Sequence, residues 1–266
     1  MEHIDKYKYE EVPPIAVYHQ IYLTNADAEN VEHYYRLMKL LDRFGDLFPK
    51  DEAEFIYGFA LNYCIKKLNQ GSRQFLEEYF NVFEILLDRE LLIKDGELSP
   101  WHFRNIVVIA LRLGKTEWSK SFIEKYKEYL PSNMRINAVK FNLAQVYFYQ
   151  KQFEKVIELL STVEYEDLSY DLNSKVMLLV TYYEIDEVDA LHSFLESFRT
   201  YLNRHKDIPL QRRTPYNNLI KIVKKIDRLI AGDNNAINKI KEDINKIGDG
   251  NIANITWLKE KIAELE

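Results

Sequence analysis

A single cysteine, Cys64, stands in 266 residues, and eight glycines and seven prolines are all the chain-breakers present. One thiol excludes an internal disulfide framework and any multi-cysteine metal site. Within FALNYCIKK it reads as a small buried side chain rather than a nucleophile. The scarce Gly and Pro fall mostly between apolar-periodic stretches, which argues against the turn-dense pattern of a sandwich or barrel. There is no apolar run of about 18 residues. The start, MEHIDKYKYEEVPP, is charged and lacks an apolar h-region, so a soluble, cytoplasmic chain without export signal or membrane association is expected. Also missing are GxSxG, GxxxxGK[ST], HExxH and GxGxxG. The six histidines, at 3, 19, 33, 102, 192 and 205, are scattered without metal-ligand spacing. No metal, no cofactor and no enzymatic activity are therefore expected.

Hydrophobic residues make up 47% of the chain, ample for a core, and their spacing is helical rather than alternating. The clearest unit is Phe141 to Leu160, FNLAQVYFYQKQFEKVIELL. Leu143, Tyr147 and Phe148 share one face of a first helix, Val156, Ile157 and Leu160 share one face of a second, and a polar bend over Gln150 to Gln152 joins them. Such a hairpin cannot bury its apolar face alone and needs stacked neighbours. A shift of 35 superposes Val108, Leu143 and Leu178; Leu113, Phe148 and Tyr183; Trp118, Phe153 and Val188; and Ser121, Val156 and Leu191. Spacing and pattern resemble the tetratricopeptide repeat, in degenerate copies. The expected fold is all-α, a right-handed α-α superhelix of about six helical hairpins in a single domain.

Pro13 and Pro14 suit the opening of a helix over Ile15 to Leu23, followed by Val31 to Phe44 with Tyr34, Leu37, Met38 and Leu41 on one face. Asp51 to Leu68 and Ser72 to Leu92 form the next hairpin. Gly96 to Pro100 form a turn, with Ser99 as N-cap and Pro100 at the first helical position; three repeats then run over 99–206. Pro209 and Pro215 interrupt the chain before an amphipathic helix carrying Leu219, Ile222, Val223, Ile226, Leu229 and Ile230. Two last stripes, Ile237, Ile240, Ile244, Ile247 and Ile255, Leu258, Ile262, Leu265, read as a closing hairpin.

ALNYCIKKLNQG, LSPWHFRNIVVIALRLG, FNLAQVYFYQKQFEKVIELL and SFLESFRTYLNRHK together resemble the C-terminal region of a group of longer, uncharacterised bacterial proteins with TPR-like repeats, over roughly Pro13 to Arg228. The resemblance implies an α-α superhelix and brings no activity with it. It also implies that the chain is one part of a longer protein, in which case its own first helices would expose an apolar face meant for upstream repeats and either self-associate or be disordered.

Two surfaces stand out. In a TPR-like repeat the first helix of each hairpin lines the groove, which places Phe141, Asn142, Gln145, Tyr149, Met177, Val180 and Tyr183 there, the aromatics and amides suited to clamping a peptide. The competing reading makes helically spaced aromatics core, with Tyr149 the one to remain exposed. The second surface is basic. Residues 154–196 hold eleven acids against Lys155 and Lys175, a balance of −9, whereas 199–228 hold nine cations against Asp207 and Asp227, a balance of +7. Arg204, Arg212, Arg213, Lys221, Lys224, Lys225 and Arg228 then either pair with the acidic block across stacked helices or form a docking patch for an acidic protein or RNA. A net charge of −6 argues against a general nucleic-acid binder. The function these residues suggest is a non-enzymatic protein-interaction scaffold, with a peptide- or ligand-sensing regulatory domain as the alternative.

Overall fold

A computed structural model describes residues 12–161 and 168–266. The polar tail over 1–11 and the acids Glu164, Glu166 and Asp167 lie outside the described residues. Thirteen α-helices are present among the described residues: α1 Pro13–Ala26, α2 Glu32–Phe44, α3 Lys50–Asn69, α4 Phe75–Asp88, α5 Pro100–Arg112, α6 Thr116–Tyr126, α7 Ser132–Tyr149, α8 Phe153–Leu160, α9 Leu168–Glu184, α10 Val188–Arg204, α11 Leu210–Ile226, α12 Asn234–Ile247 and α13 Ile255–Glu264. No helix among them is long and apolar enough to cross a membrane. By its internal contacts the chain forms two compact units, Met1–Tyr149 and Gln150–Glu266, where the repeat pattern alone suggested one.

In the first unit α1 packs on α2 and α3, α2 on α3, α3 on α4, α4 on α5, and α5, α6 and α7 on one another. Aromatic residues fill its core. The rings of Tyr34 and Tyr63 stack at 5.1 Å, and Phe75 meets both edge-on at 5.5 and 5.6 Å. Further along, Phe80, Trp118, Phe122 and Tyr126 continue ring against ring. In the second unit α9 packs on α8 and α10, and α11 packs on α10, α12 and α13. The stripes expected to close the chain do so within that unit: Ile237, Ile240 and Ile244 from α12 and Leu258 and Ile262 from α13 are buried.

The bends explain where the helices stop. Gly114, Lys151 and Asp186 each take a left-handed φ. At two of them the same hydrogen bonds close the helix end: Lys115 N–H donates to Ala110 O at 2.9 Å and Gly114 N–H to Leu111 O at 2.9 Å, while Glu187 N–H donates to Tyr182 O at 3.1 Å and Asp186 N–H to Tyr183 O at 3.2 Å. This double closure satisfies carbonyls that the helix leaves open. Each next residue then makes an inverse γ-turn that starts the following helix, Lys115 at φ −81 and ψ 57 and Glu187 at φ −84 and ψ 73.

The left-handed residues also correct the repeat register. From Lys151 to Asp186 the interval is the expected 35, but from Gly114 to Lys151 it is 37. The extra length lies between the two bends: α6 and α7 run for 11 and 18 residues, against 8 and 17 in α8 and α9. The buried position matching Val156 and Leu191 is therefore Ser119, not the exposed Ser121. Likewise Ile123, Leu160 and Leu195 correspond, and all three are buried.

Two further expectations change. The turn over Gly96 to Pro100 is part of a two-stranded hairpin, β1 Ile93–Lys94 and β2 Glu97–Leu98, with Ile93 opposite Leu98 and Lys94 opposite Glu97. Its loop is Asp95-Gly96, both with positive φ, the dipeptide that a two-residue hairpin with type I′ geometry favours. Pro215 does not interrupt the chain before the amphipathic helix; it lies inside α11. That helix ends at Ile226, leaving Leu229 half-buried and Ile230 exposed beyond it.

Candidate interaction surface

The residues expected to clamp a peptide do not share a surface. Phe141, Asn142 and Gln145 are buried inside the first unit. Their amides are used within α7, where Asn142 Nδ2 donates to Ala138 O at 2.8 Å and Gln145 Nε2 donates to Asn142 Oδ1 at 3.2 Å. Only Tyr149 is exposed, at 49%. In the second unit Val180 is buried and Met177 and Tyr183 are half-buried. Tyr183 is covered by Trp257 of α13, ring centroids 5.2 Å apart, and Trp257 Nε1 donates to Glu184 at 2.6 Å.

Four of the nine cations in the basic stretch are committed within their own unit. Lys224 pairs with Glu196 of α10, and Lys225 pairs with Asp243 of α12. These hydrogen bonds hold the Glu196 and Asp243 carboxyls below their ordinary range. Arg212 Nη2 donates to Ser169 Oγ at 3.0 Å, and Arg213 Nη1 donates to Leu202 O at 3.2 Å. His192 of the acidic block lies 2.6 Å from Asp227. Arg199, Arg204, Lys206, Lys221 and Arg228 are exposed and enter no ion pair among the described residues. Of the nine cations only Lys224 and Lys225 are neutralised by a carboxylate among the described residues, so the stretch keeps a positive field.

A different surface emerges in the first unit. Its large apolar side chains that stay exposed within α-helices are Tyr18 and Tyr22 on α1, Phe55 and Ile65 on α3, Trp101 on α5, and Ile136 and Tyr149 on α7; Leu47 and Tyr129 are exposed in the 3-10 turns that follow α2 and α6. None lies on α2, α4 or α6. The exposed apolar surface is thus concentrated on alternate α-helices, and α1 contacts α3 as α5 contacts α7. The sequence carried a signal for this. Apolar residues run all round α1 and α3 rather than along one stripe, so whichever way these helices pack, some must face out.

On α3 a shallow cleft of about 460 Å³ is lined by Asp51, Glu54, Phe55, Gly58, Phe59 and Asn62, together with Lys94. Phe55 meets Phe59 edge-to-face at 5.0 Å. Lys94 Nζ lies 2.6 Å from Glu54, which raises the ammonium's pKa, and Tyr18 OH donates to Glu52 at 2.8 Å, tying α1 to the rim. A smaller cleft of about 170 Å³, between α4 and α6, is lined by Glu84, Leu87, Asp88, Trp118, Ser121, Phe122, Lys125 and Tyr126. Its aromatic walls are mostly covered by the core stack. Among the described residues no group of His, Cys, Asp or Glu could hold a metal ion. Comparison of the chain with family models, with curated proteins and with solved structures finds no match.

Proposed function

We propose that this protein is an interaction module, acting by binding and without chemistry of its own, and that it holds a partner protein on the α1–α3–α5–α7 side of its first unit. The observation that supports this reading is the concentration of exposed aromatic and aliphatic side chains on alternate α-helices. A chain that gained nothing from this surface would have no reason to keep Tyr22, Phe55 and Trp101 in water on alternate helices while α2, α4 and α6 keep none. Aromatic residues are also the usual energetic centres of protein interfaces. In a TPR-like superhelix, alternate helices line the concave side, and the proposed surface fits that geometry.

The test is site-specific photo-cross-linking in cells. A benzophenone amino acid placed at Phe55 or Trp101 is expected to capture a defined partner, while the same probe at Glu77 of α4 or Glu117 of α6 captures none. Equal capture from both sides, or none from Phe55 and Trp101, would overturn the assignment.

A further inference from the structure

We infer that the cleft on α3 receives a segment of the partner in which an apolar side chain stands beside an arginine or lysine. This inference rests on the interaction role proposed above and names the chemistry of its partner. Asp51, Phe55, Gly58, Phe59 and Asn62 recur at helical spacing and form one stripe along α3. The stripe covers about 16 Å of helix axis, the reach of a short linear segment rather than of a small metabolite.

Gly58 is the first reason. Glycine is a poor residue for a helix interior, since it gives up the most backbone freedom on folding. Here nothing in the fold demands it, because a β-carbon at Gly58 would meet no atom within 4 Å. The missing side chain serves only something that approaches α3 from outside and comes down to its backbone between Phe55 and Asn62. An apolar side chain of a partner would do so, flanked by the exposed Phe55 ring and its edge-to-face neighbour Phe59.

Charge is the second reason. The cleft is lined by two carboxylates, Asp51 and Glu54, against one ammonium, Lys94, which is already bound to Glu54. Asp51 is exposed and enters no ion pair among the described residues. One turn along the same stripe lies Phe55, at 60% exposure, whose ring can face a cation. An acidic partner would meet repulsion here. A guanidinium or ammonium would find Asp51 and the Phe55 ring together.

The experiment pans a library of random dodecapeptides on the full chain, then measures affinities of the enriched peptides by fluorescence anisotropy for the wild type and for Asp51→Lys, Phe55→Ala and Gly58→Ala. Enriched peptides are expected to carry Arg or Lys next to an apolar residue and to lose at least tenfold in affinity with each variant. Gly58→Ala is the telling case, because it should raise Tm as binding weakens, which a purely structural glycine would not do. Peptides that need Phe55 but lack a cation, or are indifferent to Asp51→Lys, would overturn the partner chemistry and leave the interaction role standing. No enrichment, or peptides insensitive to both Phe55→Ala and Gly58→Ala, would remove the cleft as the site; cross-linking from Trp101 would then decide the interaction role separately.

Discussion

Cys64 and His102 show how the environment of one residue sets its chemistry. Cys64 is fully buried, its thiol donating to the Tyr34 hydroxyl at 3.4 Å, which in turn donates to Glu78 at 3.4 Å. Burial pushes the thiol up to about 12, so almost no thiolate exists near neutral pH. A disulfide reagent such as DTNB is expected to leave the native protein unlabelled and to label one thiol in denaturant; rapid native labelling would contradict this burial. His102, half-buried beside the Phe83 ring, has an Nδ1 without a hydrogen-bond partner, and burial pushes its imidazole below the ordinary 6.5. The unfolded chain therefore takes up this proton at higher pH than the folded one, so stability is complete above 6.5 and falls as pH drops through that value. The urea midpoint of the wild type should fall more steeply than that of His102→Phe between about pH 7.5 and 5.5; parallel curves would show that His102 titrates normally. The buried character of Cys64 could be read from its neighbours in sequence, whereas that of His102 could not, because it comes from residues of α4.

At the scale of the element, α11 shows burial outweighing propensity. A proline in a helix interior removes one hydrogen bond, here to the Gln211 carbonyl, and costs about 3 kcal/mol. Leu219, Ile222, Val223 and Ile226 are all buried further along the same helix. Each contributes about 1.5–3 kcal/mol on leaving water, so the stripe wins over the local penalty. Pro215 also has a use: its carbonyl accepts from Ala253 N–H at 3.0 Å, anchoring the segment before α13. Pro215→Ala keeps that carbonyl and restores the missing donor, so a gain of about 1–3 kcal/mol is expected in chemical denaturation. A loss would mean that the ring itself packs. The extent of α11 was thus misjudged by a local rule that tertiary packing overrode, while its stripe was legible from periodicity. The Asp95-Gly96 hairpin was a missed signal of the opposite kind, since the loop dipeptide stands in the sequence and only the shortness of its strands hid it.

For the molecule as a whole, each unit has its own core, an aromatic one in Met1–Tyr149 and a largely aliphatic one around α11 in Gln150–Glu266. Expressed separately, residues 1–149 and 150–266 are each expected to unfold cooperatively, with near-UV circular dichroism retained by the aromatic first fragment. A fragment that lacks a cooperative transition would show that its core depends on the rest of the chain.

The sequence by itself determined that the chain is helical, roughly where its helices break, and which faces of α2, α11, α12 and α13 are buried. It could do so because one amphipathic stripe has only one way to leave water. Tertiary structure decided the repeat register, since α6 and α7 run longer than α8 and α9, and decided which aromatics remain outside. Phe141 and Phe55 are equally apolar, yet one is enclosed by its neighbours and the other is exposed at the wall of the cleft. Exposure on a helix that is apolar all round depends on what packs against each side of it, and those partners come from distant parts of the chain.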